Sequence, residues 1–521
     1  MKLFVRSSLV LIFCLLIAVA GQSQQPNGQT EKIAVNALDQ GTPLPHFWEQ
    51  MFGSGQAILA LRDSYRKDLR LTKENTEMRY VRFHDIFGDQ VGVYTPDRDD
   101  KGAPAAYNFT YVDQIYDGLL AEGVRPFVEL SFMPQALAEK PTDPSIIYVP
   151  NRAPPKDYAV WDDMIEQFAR HLVSRYGIDE VSQWYFEVWN EPDYGFPDEY
   201  PKQATYYKLY DHTARALKKA DPRLRVGGPA TSSANWVTRF LKYTHENQIP
   251  IDFVATHIYG DGTANLIDDA GGAPGDPVPP GQRAVPRNQL VCADVAKVHK
   301  EIEESATPHL PFILSEFNAS WMTKSEILDT VYMGPWMADT VRQCDGNVDM
   351  MSYWTFSDVF EEEGVARNPF HGGFGLIATG NIPKPSFNAF ALLHKLGDTR
   401  LHSDSESSLV TRRKDGTLVI ALWNYAEPAA KPDPSEPSKT FELAFAGIPK
   451  NAVARVSRLD ETHGNVLVAY DAMGKPSWPT REQTAQLQAA AKLAPPERMS
   501  LSNGRLKIEV PPRGLVLLEV H

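Results

Sequence analysis

The chain has 521 residues but only three cysteines, and no group of cysteine and histidine has the spacing of a zinc site. Beyond the N-terminal segment, no stretch approaches the roughly 20 apolar residues that a membrane-spanning helix requires. Positive charge is scarce, because 52 lysines and arginines are outnumbered by 66 aspartates and glutamates, for a formal net charge of −14. We therefore expect no metal, no membrane partner and no nucleic-acid partner. An uncharged small ligand is compatible with this composition.

Residues 1–20 have the layout of a signal peptide. Lys2 and Arg6 precede an apolar run from Leu9 to Ala20, and small residues stand before Gly21, as a signal peptidase requires. The run is too short to cross a bilayer as a helix. We therefore predict that the mature protein is exported, either to the periplasm or to the medium.

Only Cys292 and Cys344 remain once that segment is removed, and both fall in predicted helices. A disulfide and a pair of buried thiols are both compatible with the sequence. We favour two buried thiols.

Residues 46–397 alternate between short apolar runs and amphipathic stretches. The helical stretches include 111–123, 162–177 and 203–220. Eight strand-then-helix units over this length predict a (β/α)8 TIM barrel. A doubly wound open sheet is the alternative, but the glycine-rich nucleotide turn that it needs after an early strand is missing. The predicted strands are 47–52, 80–86, 125–132, 184–192, 224–230, 252–259, 311–318 and 350–357.

From residue 398 the pattern changes to alternating strands separated by Asp-Gly and Asn-Gly turns, which predicts an accessory C-terminal β-sandwich over 398–521. One helix, 480–493, interrupts it. The leader 21–45 contains a strand at 31–37 that we expect to join this sandwich. A proline- and glycine-rich segment at 271–289 is predicted to be a long loop bordering the active face. The predicted sandwich strands lie within 408–425, 439–449, 452–461 and 504–521.

Two carboxylates, Glu191 and Glu316, stand at the ends of the fourth and seventh predicted strands. In a (β/α)8 barrel the C-terminal strand ends share one rim, so both carboxylates are expected at the same face. A close pair of carboxyl groups is what cleavage of a glycosidic bond requires, since one protonates the leaving oxygen while the other attacks or activates water. Four other polar or aromatic residues share this strand-end position: His84, His257, Tyr259 and Trp354.

Several segments carry a resemblance to a known family: WYFEVWNEPD (184–193), RVGGPA (225–230), DFVATHIY (252–259), ILSEFNAS (313–320) and especially YWTFSDVFEEEGVARNPFHGGFGL (353–376). With IPKPSFNAF (382–390), they resemble glycoside hydrolase family 39 of the β-xylosidase type. The likeness extends from about residue 46 to the end. It implies a retaining enzyme with a clan A barrel, an accessory β-sandwich and no metal or organic cofactor.

The resemblance also implies roles for individual residues. Glu191 would be the acid/base, and Glu316 the nucleophile. Asn190 would bond the 2-hydroxyl of the sugar, and Tyr259 would hold the nucleophile in place. The residues implied to line the glycone pocket are His84, His257, Trp354, Glu361 and Glu362. Because two nearby carboxylates cannot both ionise cheaply, we expect the pKa of Glu191 to be raised and its proton to be retained in the free enzyme.

Each residue also has a structural alternative. Glu191 would cap the next helix, and Glu316 would form a buried ion pair with a barrel neighbour. The histidines and Tyr259 would satisfy core contacts, Asn190 would be a turn amide, and Trp354 would be core packing. The two glutamates of the acidic run would be a solvated face.

The expected activity is that of an exo-acting retaining β-D-xylosidase that releases xylose from short xylo-oligosaccharides. The alternative is another family 39 activity, either α-L-iduronidase-like or a different β-glycosidase. The acidic segment SDVFEEEG (357–364) should repel a uronate, and Arg367 is the nearest cation in the sequence. A non-catalytic carbohydrate-binding barrel is a distant alternative, because it would be expected to lack one carboxylate. The sequence leaves a homo-oligomer open.

Overall fold

The computed structural model describes residues 30–95, 106–141, 150–261, 287–362, 364–428 and 435–521. The predicted signal peptide, the first part of the leader and nearly all of the predicted loop at 271–289 lie outside these residues. Within them, no helix combines the length and the apolar character needed to cross a bilayer.

Eight parallel strands close into a barrel, in which each strand pairs with the next and the last pairs with the first. The predicted (β/α)8 barrel is confirmed. Its strands are buried on both faces, as expected of a parallel sheet covered by helices. They are β1 Met51–Gln56, β2 Tyr80–His84, β3 Arg125–Leu130, β4 Tyr185–Val188, β5 Arg225–Thr231, β6 Phe253–Tyr259, β7 Phe312–Asn318 and β8 Met350–Tyr353.

Amphipathic helices surround the barrel. The helix Tyr158–Tyr176 is an example, since its residues Trp161, Ile165, Phe168 and Leu172 repeat at helical spacing and are all buried. Asp157 caps its N-terminus by accepting a hydrogen bond from the Ala159 backbone. The helices are α1 Asp63–Asn75, α2 Thr110–Ala121, α3 Tyr158–Tyr176, α4 Ile178–Val181, α5 Pro192–Gly195, α6 Lys202–Ala220, α7 Val237–Glu246, α8 Leu290–Glu303, α9 Met333–Cys344 and α10 Pro385–Leu393.

Several strand limits differ from the sequence prediction, and the largest differences are in the first, fourth and eighth strands. The fourth strand ends at Val188 rather than at residue 192, so Glu191 follows the strand. The first strand begins at Met51 rather than at residue 47, because residues 47–50 form a turn beneath the barrel that buries Phe47 and Trp48. The last strand ends at Tyr353 rather than at residue 357. The chain leaves the sheet there and Trp354 turns into the barrel mouth.

The C-terminal part forms a two-sheet sandwich. Its labelled strands are β9 Thr399–Leu401, β10 Ser408–Arg412, β11 Leu418–Asn424, β12 Lys439–Ala446, β13 Val453–Leu459, β14 Glu497–Ser500, β15 Arg505–Val510 and β16 Gly514–Val520. The strand Thr30–Asn36 pairs in parallel with β12 and completes a three-stranded sheet with β15. A seven-stranded sheet, in the order Thr42–Pro43, β9, β10, β11, β16, β13, β14, faces it.

The sandwich has its own core between the sheets, which includes Ile33, Ile420 and Phe441. The opposite face of the seven-stranded sheet joins the hydrophobic core of the barrel through residues such as Trp423 and Leu517. The sandwich also contains two helices, α11 Val466–Ala472 and α12 Arg481–Ala490. They pack on the hairpin Ile377–Ala378/Ile382–Pro383, which follows β8.

Cys292 and Cys344 form a disulfide, so the expectation of two buried thiols is wrong. Cys292 lies on α8 and Cys344 ends α9, and these consecutive helices pack side by side on the outside of the barrel. Their Cα atoms are 5.0 Å apart, which is within the range that a disulfide spans. Sequence spacing alone does not show that the two residues occupy neighbouring positions along the axes of adjacent helices.

Candidate active site

The two predicted catalytic carboxylates meet at the C-terminal rim of the barrel. Glu191 follows β4, and Glu316 lies near the C-terminal end of β7. One carboxylate oxygen of each, together with a ring nitrogen of His257, lies within 4.8 Å of the others. A separation of about 5–5.5 Å is typical of retaining glycosidases, whereas inverting enzymes keep their carboxyl groups about 6.5–9.5 Å apart. The geometry therefore suits a shared sugar ring and covalent attack.

Backbone conformation marks the same place in the chain. Trp189 and Glu191 have φ values of 70° and 44°, in the left-handed region that residues of these types rarely adopt. The Glu191 N–H donates to the Ala230 carbonyl on the neighbouring strand, 2.9 Å away, and this bond holds the turn. Such conformations persist where the surroundings over-determine them, and they are concentrated at functional sites.

Arg82, on β2, occupies the centre of the site and was missed by the sequence analysis. Its side chain is completely buried. Nη1 lies 2.6 Å from Glu316, Nε lies 2.7 Å from Glu187, and Nη2 lies 2.7 Å from Glu129. One guanidinium thus stabilises the negative charge on Glu316 and binds two further carboxylates. The buried ion pair that was the structural alternative for Glu316 exists, and it is part of the site.

Glu129 and Glu187, on β3 and β4, are also buried carboxylates that the sequence analysis did not single out. Burial raises the pKa of Glu187 to about 7, even though the adjacent Arg82 opposes the shift. Burial would also raise the pKa of Glu129, but Arg82 and His84 together lower it. The sequence does contain a sign of these residues, because each is a charged residue within a largely apolar strand: Arg82 in YVRFH, Glu129 in RPFVEL and Glu187 in YFEV.

His257, on β6, bridges the two catalytic candidates. Its Nε2 lies 3.3 Å from Nη2 of Arg82, and since arginine can only donate, Nε2 is assigned as the acceptor. Nδ1 therefore carries the proton and donates to Oε1 of Glu191, 2.9 Å away, with Glu316 Oε2 3.5 Å from the same nitrogen. Burial lowers the pKa of His257 to about 3, so the ring stays neutral.

Tyr259 and Asn190 complete the immediate surroundings of the two carboxylates. The Tyr259 hydroxyl donates to Oε2 of Glu316 at 2.7 Å, which matches the role that the family resemblance implies for it. Asn190 Oδ1 accepts from Arg82 at 3.0 Å, so its amide NH2 remains available for a ligand. Burial raises the pKa of Glu191, with His84 among the charges that oppose the shift.

His84, Trp354 and Glu362 form one wall beside Glu316. Nδ1 of His84 lies 2.7 Å from Glu129, while Nε2 lies 3.5 Å from Glu362 and 3.8 Å from Glu316. Burial alone would lower the pKa of His84, but these three carboxylates together raise it to about 9. The Trp354 ring packs 4.7 Å from the His84 ring between centroids. The wall therefore presents an imidazolium and an indole face side by side.

The two glutamates predicted to line the pocket, Glu361 and Glu362, have different partners. Glu362 faces His84, and burial raises its pKa to about 7 against the attraction of that imidazolium. Glu361 turns instead to form an ion pair with Arg62. The structure thus brings Glu362, but not Glu361, to the group around Glu316.

Two sets of donor atoms at the site are close enough to hold a metal: His84, Glu129 and Glu316, and also Glu191, His257 and Glu316. In both sets the Arg82 guanidinium lies against Glu316, and a second cation at that carboxylate would be repelled. Among the described residues a third set, His46, Glu49 and His394, lies outside the site, before β1 and after α10.

Comparison with known proteins places these features in a family. The family model for glycosyl hydrolases family 39 matches residues 31–505. A β-xylosidase of Geobacillus stearothermophilus is 37% identical over 480 residues, which cover 91% of this chain and 92% of that protein. The structure of a family 39 β-xylosidase from Caulobacter crescentus superposes with a TM-score of 0.79 at 32% identity, covering 94% of this chain and 100% of that one.

The likeness to another activity of the family is shorter. The α-L-iduronidase of Canis lupus familiaris is 28% identical over 184 residues, or 33% of this chain and 26% of that protein. The match to the family model over residues 31–505 and the alignment with the Geobacillus protein both span the barrel and most of the sandwich. The chain belongs to glycosyl hydrolase family 39.

Proposed function

We propose that the protein is an exo-acting retaining β-D-xylosidase that releases xylose from short xylo-oligosaccharides. The observation that carries the proposal is the approach of the Glu191 and Glu316 carboxylates to within 4.8 Å at the barrel mouth. The extensive similarity to a β-xylosidase supports the choice of sugar. No metal or organic cofactor takes part in the proposed reaction.

In the first step Glu316 attacks the anomeric carbon as a carboxylate, and Glu191 gives its proton to the departing glycosidic oxygen. Arg82 and Tyr259 stabilise the negative charge on Glu316 and fix the direction of its oxygens. Burial raises the pKa of Glu191, which favours the protonated form that a general acid needs. A covalent glycosyl–Glu316 ester and the free leaving group result.

In the second step water displaces Glu316 from the sugar. Glu191 is a carboxylate at this stage because its proton left with the departing oxygen, and the esterified Glu316 no longer carries a charge that would destabilise this neighbouring anion. The Glu191 carboxylate then takes a proton from the attacking water. The Nδ1–H of His257 donates to this carboxylate, which stabilises it as a base. Two inversions at the anomeric carbon give net retention.

Asn190, His84, Trp354 and Glu362 are proposed to hold the glycone. The Asn190 amide is free to bond the 2-hydroxyl, and the Trp354 face offers apolar contact to the ring. Three carboxylates, Glu129, Glu316 and Glu362, surround the single His84 imidazolium at this wall, and this excess of acidic groups disfavours the charged sugar of an iduronidase substrate. An α-L-iduronidase-like activity or another β-glycosidase activity is the alternative.

A panel of aryl glycosides tests the sugar: β-D-xyloside, β-D-glucoside, β-D-galactoside, α-L-arabinoside and α-L-iduronide. We expect kcat/KM to be highest for the xyloside. Robust turnover of another glycoside without xyloside turnover would replace the sugar but keep the mechanism. No turnover of any of them would revive the non-catalytic carbohydrate-binding barrel.

The catalytic roles are tested with Glu316→Ala and Glu191→Ala, and with Glu180→Ala as the control. Glu180 pairs with Arg125 at the opposite end of the barrel, so its variant should keep near-normal activity. Inactivation by a 2-deoxy-2-fluoro xyloside, followed by peptide mass spectrometry, should place the label on Glu316. A label elsewhere, or full activity of Glu316→Ala, contradicts the assignment.

Export is a further part of the proposal, based on the N-terminal segment 1–20. Expression of the full-length chain in a bacterial host should give a protein that begins near Gly21, as measured by N-terminal sequencing. Retention of residue 1 in the cytoplasm contradicts it.

A further inference from the structure

Lys384 is a completely buried lysine that the proposed mechanism does not use. Its ammonium lies 2.7 Å from Oδ1 of Asp329 and 2.6 Å from Oδ2 of Asp358, and it donates to the Gly373 carbonyl at 2.9 Å. Both aspartate side chains are buried as well. Lys384 comes from the segment IPKPSFNAF, one of the segments that carry the family resemblance.

The second oxygen of each aspartate is also occupied. The Gly375 N–H donates to Oδ1 of Asp358 at 2.7 Å, and the Gly372 N–H donates to Oδ2 of Asp329 at 2.6 Å. Asp329 belongs to the loop after β7, whereas Asp358 opens the long loop after β8 and residues 372–375 close it. One ammonium therefore connects two loops of the barrel mouth and both ends of the second loop.

The segment that starts at Asp358 leads directly to the wall beside Glu316. Phe360 packs edge-on against the Trp354 ring, with centroids 5.8 Å apart. Two residues later, Glu362 faces Nε2 of His84 at 3.5 Å. Asp358 is thus four positions before the carboxylate proposed to contact the glycone, and Lys384 holds Asp358.

A buried group of three ions of this kind is expected to add little net stability to the fold. Removing one lysine and two aspartates from water has a large desolvation cost, and packed apolar residues often stabilise a fold as well or better. Hydrogen bonds between charged groups instead fix the relative positions of those groups, because each carboxylate oxygen must face its own donor. The glycines fit this reading, since a Cβ at Gly373 or Gly375 would collide with the Asp358 carboxylate.

We propose that Lys384 is a positioning residue for the reaction: through Asp358 it fixes the loop that places Glu362 against the sugar. The inference rests on the proposed function, in which Glu362 contacts the glycone. It predicts that Lys384 matters for catalysis through Glu362 and not merely for folding.

A double-mutant cycle in kcat/KM tests this coupling. Lys384→Met keeps most of the unbranched side chain and removes its charge, and Glu362→Gln removes the carboxylate at the other end of the proposed connection. We expect Lys384→Met to lower kcat/KM about a hundredfold in the wild type but no more than about threefold in the Glu362→Gln background. Fully additive losses would overturn the proposal, as would a Glu362→Gln variant with wild-type kcat/KM.

Lys218→Met is the matched control. Lys218 lies 2.8 Å from Asp252 and donates to the Leu224 carbonyl, at the opposite end of the barrel. Both variants are expected to lower the melting temperature, but only Lys384→Met should lower kcat/KM at a temperature where all variants are folded. Equal effects of the two on kcat/KM would mean a purely structural role and overturn the proposal.

If Lys384→Met does not fold, Asp358→Asn replaces it in the same cycle, because it weakens the triad without changing its size. Coupling to Glu362 then supports the proposal, and additivity overturns it. The cycle is measured with the aryl glycoside that the wild type hydrolyses fastest. A sugar other than xylose would revise the proposed function, while the coupling would still decide the role of Lys384.

Discussion

Nη1 of Arg82 lies 2.6 Å from Oε1 of Glu316, and this contact organises the barrel mouth. The same guanidinium also reaches Glu187 and Glu129, so the orientation of the proposed nucleophile depends on carboxylates from two other strands. The orientation and the negative charge of the Glu316 carboxylate therefore depend on Arg82, a buried group that need not contact the substrate.

Replacing Arg82 with lysine should disable the enzyme although the charge is kept. A lysine has a compact ammonium and cannot present the planar fork that binds three carboxylates at once. We expect kcat to fall at least about a hundredfold, or about 3 kcal/mol of transition-state stabilisation. The measurement is kcat on an aryl β-D-xyloside, with circular dichroism to verify folding. Arg125→Lys, which alters the Arg125–Glu180 pair at the other end of the barrel, should stay near wild type.

Replacing Tyr259 with phenylalanine removes the hydroxyl that donates to Oε2 of Glu316. A hydrogen bond to a charged group contributes about 1.5–3 kcal/mol, so kcat is expected to fall about tenfold to a hundredfold. Tyr210→Phe is the control, because its hydroxyl donates to the Pro250 carbonyl away from the rim. An unchanged kcat for Tyr259→Phe would mean that the hydroxyl does not support the nucleophile.

Stability should decline as the pH rises through the titration of His84. Its pKa is raised from 6.5 to about 9 in the folded state, so the folded chain holds a proton that the unfolded chain has lost between these values. The stabilisation is complete below pH 6.5 and is lost towards pH 9, by about 3 kcal/mol at most. Urea unfolding of the wild type and of His84→Gln across this window measures it. Parallel pH profiles for the two proteins would refute the assignment.

Breaking the disulfide should lower stability without changing the chemistry. Cys292 and Cys344 have a sequence separation of 52 and lie on the outer helices α8 and α9, not on the barrel strands that carry the site residues. We expect the double variant Cys292→Ser/Cys344→Ser to lose about 2–4 kcal/mol of unfolding free energy and to keep its kcat. Thiol titration of the denatured protein without residues 1–20 should find no free thiol unless a reductant is added. Two reactive thiols in the unreduced protein would contradict the bond.

The barrel could be predicted because most of its strands are short, largely apolar runs followed by a helix with a 3.6-residue period. The positions of Glu191 and Glu316 followed from that alternation alone, since residues at the ends of parallel strands share a rim. Several strand limits differ from the prediction. Phe47 and Trp48 are as apolar as a strand, yet they fill the space beneath the barrel in a turn.

Arg82 could not be predicted from the same reasoning. A charged residue within an apolar strand shows only that the strand has a polar position, and its partners come from three other strands with distant sequence positions. The same holds for the adjacent Glu361 and Glu362, because one backbone turn sends their side chains to Arg62 and to His84 respectively. Long-range partners of buried charges become visible only when the strands are in place.

The parallel pairing of Thr30–Asn36 with β12 means that the accessory module is assembled from both flanks of the catalytic one. Dividing the chain at the border near residue 398 would separate Ile33 and Val35 from the sandwich core that buries them. It would also leave one edge of β12 without a pairing strand. Transplanting this barrel into a chimeric enzyme, or exchanging its module for a binding module, therefore calls for two coordinated junctions rather than one.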